Sequence, residues 1–175
     1  MEYINKLEKV VLGWAKDVPH LPVVARKWLG TNVWWIVLIC AILSGISFLI
    51  SVSNLFNQLS LLNAPSNAYY VTSDYTSIAI LHIVVSAVFI LVSGLLLALA
   101  VQPLQNKEKK GWVLLFVTLI LEALSVVVNS VLTFSVVGFV LGILFGAIAL
   151  AIVAYFVFEI HDQFGRREKT IHTDA

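Results

Sequence analysis

Charge is what this sequence has least of. Only 12% of its 175 residues are Asp, Glu, Lys or Arg. A soluble domain carries about a quarter, so there is too little charge here to clothe a surface facing water. The net charge of +1 leaves no basic surplus, and no nucleic-acid partner is expected. Cysteine is nearly absent as well. Cys40 stands alone, so the chain forms no disulfide within itself and has no Cys-x-x-Cys pair for thiol chemistry. A nucleophile elbow, a Walker loop and a His-Glu-x-x-His pair are all missing. Haem ligation needs paired axial histidines, and His82 is the one histidine inside an apolar run. No cofactor and no catalytic residue is expected.

Hydrocarbon is what the chain has in excess. Residues Val33 to Val52 carry no charge, and about 20 apolar residues suffice to cross a bilayer core. A second uncharged run extends from Tyr75 past Val101. The third, Gly111 to Phe158, is interrupted only by Glu122. As one helix it would be about 70 Å long against a core of roughly 30 Å, so it must fold back. Thr133, Phe134, Ser135 and Gly138 mark the turn. The expected fold class is all-α, a four-helix transmembrane bundle with spans near 33–54, 76–101, 112–133 and 137–160. Residues 1–32 precede it and 161–175 form a tail. The first apolar run starts behind some thirty residues and exceeds the about 7–15 of a signal-peptide core, so it reads as a retained span.

Cations test the count of spans independently. Lys6, Lys9, Lys16, Arg26 and Lys27 precede the first span, Lys107, Lys109 and Lys110 separate the second from the third, and Arg166, Arg167 and Lys169 follow the fourth. Those are all 11 Lys and Arg of the chain. Four spans put every one of them on one side, which the positive-inside rule makes the cytoplasm. The protein is thus expected in a cell membrane with both termini cytoplasmic. Trp28, Trp34, Trp35 and Trp112 fall at the inner boundary, where an indole ring sits at headgroup level, and Tyr69, Tyr70 and Tyr75 fall near the outer one. Ahead of the spans, Ile4, Leu7, Val11 and Trp14 recur at helical spacing until Pro19 and Pro22 break the pattern. They predict a short amphipathic helix in the inner interface.

Polar residues inside the spans fall in stripes. Thr118, Glu122, Ser125, Asn129 and Thr133 share one face of the third span, and Cys40, Ser44, Ser47, Ser51 and Asn54 do so in the first. His82, Ser86 and Ser93 line the second, while Gly138, Gly142 and Gly146 repeat a Gly-x-x-x-Gly spacing in the fourth. Small and hydroxyl-bearing faces let membrane helices approach and bond, so a bundle closing with these faces inward is expected. The glycine row seats either another helix of the chain or a second copy. Glu122 stands apart. About 15 Å beyond Trp112 it reaches mid-bilayer, where an ionisable group costs roughly 2.5–3.5 kcal/mol on insertion scales. It reads either as a proton or ion site with Ser125, Asn129, His82 and Ser44, or as a neutral acid donating a hydrogen bond to Ser44 or Ser93. Glu159, His161 and Asp162 lie at the inner end of the fourth span. Their spacing points to interfacial solvation and not to a metal, because His161 faces away from the other two on a helix.

At Lys109-Lys110-Gly111-Trp112-Val113-Leu114-Leu115-Phe116, and again at Tyr155-Phe156-Val157-Phe158-Glu159-Ile160, the chain resembles small four-span bacterial membrane proteins. The resemblance covers the second half and implies an inner-membrane location without an activity. Two functional readings follow. The first is a non-enzymatic helical bundle serving as an accessory or scaffold subunit, with the lipid bilayer and either a second copy or another membrane protein as partners. The alternative is a small proton- or cation-coupled transporter or channel built on Glu122. Both require the four-span threading, and reporter fusions test it. A fusion at Asn67 is expected to report the outer compartment and one at Asn106 the cytoplasm; both in one compartment would refute the threading.

Overall fold

A computed structural model describes residues 19–62 and 73–164, and every regular element among them is helical. Helix α1 spans Val23–Leu62, α2 Ser73–Gln105, α3 Lys109–Leu132 and α4 Val136–Glu159, followed by a single 3₁₀ turn at His161–Gln163. All four are long and apolar enough to cross a membrane. The amphipathic helix expected around Ile4 to Trp14 lies outside the described residues. Residues 23–32 belong to the same helix as the first span. They are the opening turns of α1, which begins directly after Pro22. A proline is tolerated there because its missing N–H falls where a helix has no internal acceptor. Arg26 and Lys27 end the apolar run without ending the helix, so α1 reaches about 60 Å over its 40 residues.

Turn chemistry sets the two described connections. Between α2 and α3, Glu108 N–H donates to Pro103 O at 2.9 Å and Lys107 N–H to Leu104 O at 3.1 Å, the paired bonds of a Schellman cap. The cap residue is Lys107, at φ 59, where glycine is usual. Its side chain accounts for the choice: the ammonium donates to Gly30 O of α1 and lies 5.6 Å from the centre of the Phe164 ring. Burial there lowers the pKa of Lys107 from its ordinary value. Between α3 and α4 the chain turns at Thr133, Phe134 and Ser135, with Phe134 at φ 48 and Ser135 Oγ accepting from Gly138 N–H. That bond caps the first turn of α4.

The core sits at one end of the molecule. Val33 and Val37 of α1, Ala100 and Leu104 of α2, and Trp112, Leu115 and Phe116 of α3 meet Val157, Ile160 and Phe164 beside the described cations Arg26, Lys27, Lys107, Lys109 and Lys110. Trp112 is fully buried. Its ring stacks on Phe116 at 5.4 Å, meets Phe158 and His161 edge-on, and donates Nε1–H to Val157 O at 2.8 Å. This corrects the expectation of an indole at headgroup level: its polar edge is satisfied by a carbonyl of α4 and not by water.

Glu159 closes the same end. Its carboxylate accepts from His20 Nδ1 at 2.7 Å and Leu21 N–H at 3.2 Å and lies 3.5 Å from Arg26 Nε, while Tyr155 OH donates to Pro19 O at 2.8 Å. The side chain is only 4% exposed, so the expected solvated cluster with His161 and Asp162 is replaced by a clasp between α4 and the approach to α1.

Away from this basic end the helices keep contact in chain order, α1 on α2, α2 on α3 and α3 on α4, and other pairs touch only marginally. Large aliphatic side chains face outward along most of their length. The expected closure with every polar face inward is therefore corrected at α1: Ser44 and Ser51 are half-buried, but Cys40, Ser47 and Asn54 are exposed.

Close approach at the basic end depends on Gly111, where an added Cβ would stand 2.7 Å from Leu104 N and 2.9 Å from the Pro103 carbonyl carbon. Backbone atoms cannot yield as side-chain tips do. Gly111→Ala is expected to lower thermal stability in detergent by several degrees. Gly45→Ala, with nothing within 4 Å of the new methyl, is expected to hold or raise it.

Candidate functional site

Two seams fix the relative heights of the helices. On the first, a Cβ at Gly94 of α2 would meet Ser44 Cβ of α1 at 3.1 Å. On the second, Ser86 Oγ of α2 donates to Asn129 Oδ1 of α3 at 2.6 Å. The amide of Asn129 also donates to Ser125 O and Ser125 Oγ at 2.9 and 3.1 Å, so its oxygen is held toward α2. Its donor and acceptor groups are thereby both engaged, as an amide in hydrocarbon requires.

Above this bond the surface opens into a groove of about 290 Å³, lined by His82, Ser125, Val126, Asn129, Ser130, Thr133 and Gly142. It lies between α2, α3 and α4, away from the basic end. Gly142 forms part of its wall for a steric reason. A Cβ there would come within 2.5 Å of Ser130 Oγ, one at Gly138 within 3.0 Å of Thr133 Oγ1, and one at Gly146 would run into Val126. The glycine row thus seats α3 and the turn that follows it in the same chain. Thr133 Oγ1 donates to Ser130 O at 2.6 Å. Ser130 is 5% exposed, and neither its hydroxyl nor the His82 ring makes a hydrogen bond among the described residues.

Of the residues singled out in the sequence, His82, Ser125 and Asn129 share this groove and two do not. Ser44 lies on the α1–α2 seam and donates to Cys40 O at 2.9 Å. Glu122 is half-buried below the groove and makes no hydrogen bond or ion pair among the described residues. Equal steps along α2 and α3 from the Ser86–Asn129 bond bring Ser93 level with Glu122, each on the face turned to the other helix. Ser93 is 2% exposed and its Oγ has no partner. The bond from Glu122 to Ser44 or Ser93 is therefore not formed. Ser130 is the polar groove residue that the sequence stripes left out, being one position off the Asn129 face; a glycine four residues from each neighbour in α4 was the signal that something small must oppose it.

No family model, no curated protein and no solved structure matches this chain.

Polar bonds between membrane helices average about 0.6 kcal/mol and reach about 1.7. Ser86→Ala is expected to destabilise the protein within that range in bicelle unfolding measurements. Gly142→Val is expected to cost more, because it drives α4 off Ser130.

Proposed function

We propose that the chain is a multi-pass protein of a cell membrane, with its basic end on the cytoplasmic side, that acts without catalysis as an accessory or scaffold subunit. The observation that carries this reading is the contrast between its two ends. At the basic end the Trp112 core and the Glu159 clasp leave the helices closed on one another. At the other end a groove displays the His82 imidazole beside the buried Ser130 hydroxyl, neither of them hydrogen-bonded among the described residues. Such groups are costly to leave facing lipid, and a polar side chain on a neighbouring transmembrane segment satisfies them. The side chains of the groove lack a nucleophile–base pair at bonding distance, since His82 reaches neither Ser125 nor Ser130.

A proton- or cation-coupled carrier is the second reading, and it rests on Glu122 and Ser93, which stand level without a hydrogen bond to any described residue. An intramembrane acid is by default a site for a proton or ion. Against a relay, His82 and Asn129 line the groove and Glu122 does not.

Flux and capture separate the two. In liposomes the folded protein is expected to pass no protons down an imposed pH gradient. In native membranes a photoactivatable residue at position 82 is expected to capture a discrete protein neighbour, where one at the exposed position 148 captures lipid. Proton flux that disappears in Glu122→Gln would overturn the accessory reading in favour of the carrier.

A further inference from the structure

The outward turn of half of the α1 stripe leaves a pattern on the exposed side of that helix. Cys40, Leu43, Ser47, Ile50, Asn54 and Asn57 are separated by alternating steps of three and four, and all six are exposed. Leu43 and Ile50 are 56% and 55% exposed. This is the a/d spacing of a left-handed coiled coil, held for about two and a half heptads, with Cys40, Ser47 and Asn54 at one position and Leu43, Ile50 and Asn57 at the other. The neighbouring face of the same helix carries Ile42, Ile46 and Leu49 and has the composition expected of a surface against lipid tails. Neither the Ser47 hydroxyl nor the Asn54 carboxamide makes a hydrogen bond among the described residues, whereas Ser44 and Ser51 on the α2 side bond to Cys40 O and Ser47 O.

We propose that this seam pairs α1 with α1 of a second copy of the chain, in a parallel dimer about a two-fold axis along the membrane normal. Three features select a second copy over a helix of another protein. An axis along the normal keeps every residue at its own depth, so the seam matches itself without adjustment. A carboxamide is both donor and acceptor, so Asn54 is complementary to its own symmetry mate. A single asparagine at an a position is the device by which coiled coils fix register and strand number. Small side chains at Cys40 and Ser47 let the two backbones approach, as membrane helix contacts require. The seam lies on α1 and the groove on α2, α3 and α4, so the dimer stands or falls apart from the accessory reading.

Cys40 makes the test direct. Oxidation of native membranes with copper phenanthroline is expected to link the wild-type chain into a species of twice its mass through Cys40. In a Cys40→Ser background, Ser47→Cys and Asn54→Cys are expected to link as well, and Ile46→Cys and Leu49→Cys at least tenfold less. Each variant is first shown to react with a membrane-permeant maleimide, so that a thiol that fails to link is still a thiol in reach. Asn54→Ile, with Cys40 retained, is expected to lower the linked fraction several-fold. Linking at every position alike would mean random collision, and no linking at reactive seam positions would mean no dimer. A linked species of any mass other than twice the chain would mean a different partner. Each of these three results overturns the proposal.

Discussion

Trp112 meets all of its needs inside the protein, and the rest of the architecture depends on that. An indole is large and apolar with one donor, so burying it requires both a wall of hydrocarbon and an acceptor in the right place. The wall comes from Phe116 and Phe158 and the acceptor is Val157 O, which binds α3 to α4. Gly111 lets the start of α3 lie against the end of α2, and Lys107 reaches from their turn to Gly30 O of α1. All four helices are thus joined within a few residues of one side chain. Farther along, no comparable group draws them together, and they keep only the contacts that their order in the chain imposes.

That asymmetry follows from the solvent. Between helices in lipid the hydrophobic effect supplies little attraction, since a leucine is as much at home against an acyl chain as against another leucine. Contact has to come from close backbone approach and from polar bonds. The α3–α4 seam uses the first, through Gly138, Gly142 and Gly146, and the α2–α3 seam uses the second, through Ser86 and Asn129. The α1–α2 seam, at Ser44 and Gly94, has small side chains and no side-chain hydrogen bond across it among those described.

The all-helical class and the presence of four membrane-length helices were legible in the sequence because thickness is a hard limit. An apolar run either spans the core or must fold, whatever the side chains within it. Side-chain neighbours were less legible. A stripe gives a face, but five residues stepping by three and four drift around the helix, and on α1 the drift carried Cys40, Ser47 and Asn54 past the edge of the α2 contact. Trp112 reads in sequence like Trp28 and Trp35, which are exposed, and only packing tells an exposed ring from one sunk into the core. Glu159 was misread for a different reason. His161 and Asp162 are next to it in the chain, but its actual partners, His20 and Arg26, lie more than 130 positions earlier.

The separation between Glu159 and His20 also constrains how the molecule is made. A ribosome delivers α1 first and Glu159 last of the clasp, so Arg26 and the backbone at Leu21 wait for their acceptor through the insertion of three further helices. Until then the earlier helices are held only by pairwise seams. Completion of the fold is therefore signalled by the fourth helix, and a nascent chain stalled before it would present quality-control proteases with an unclasped leading end.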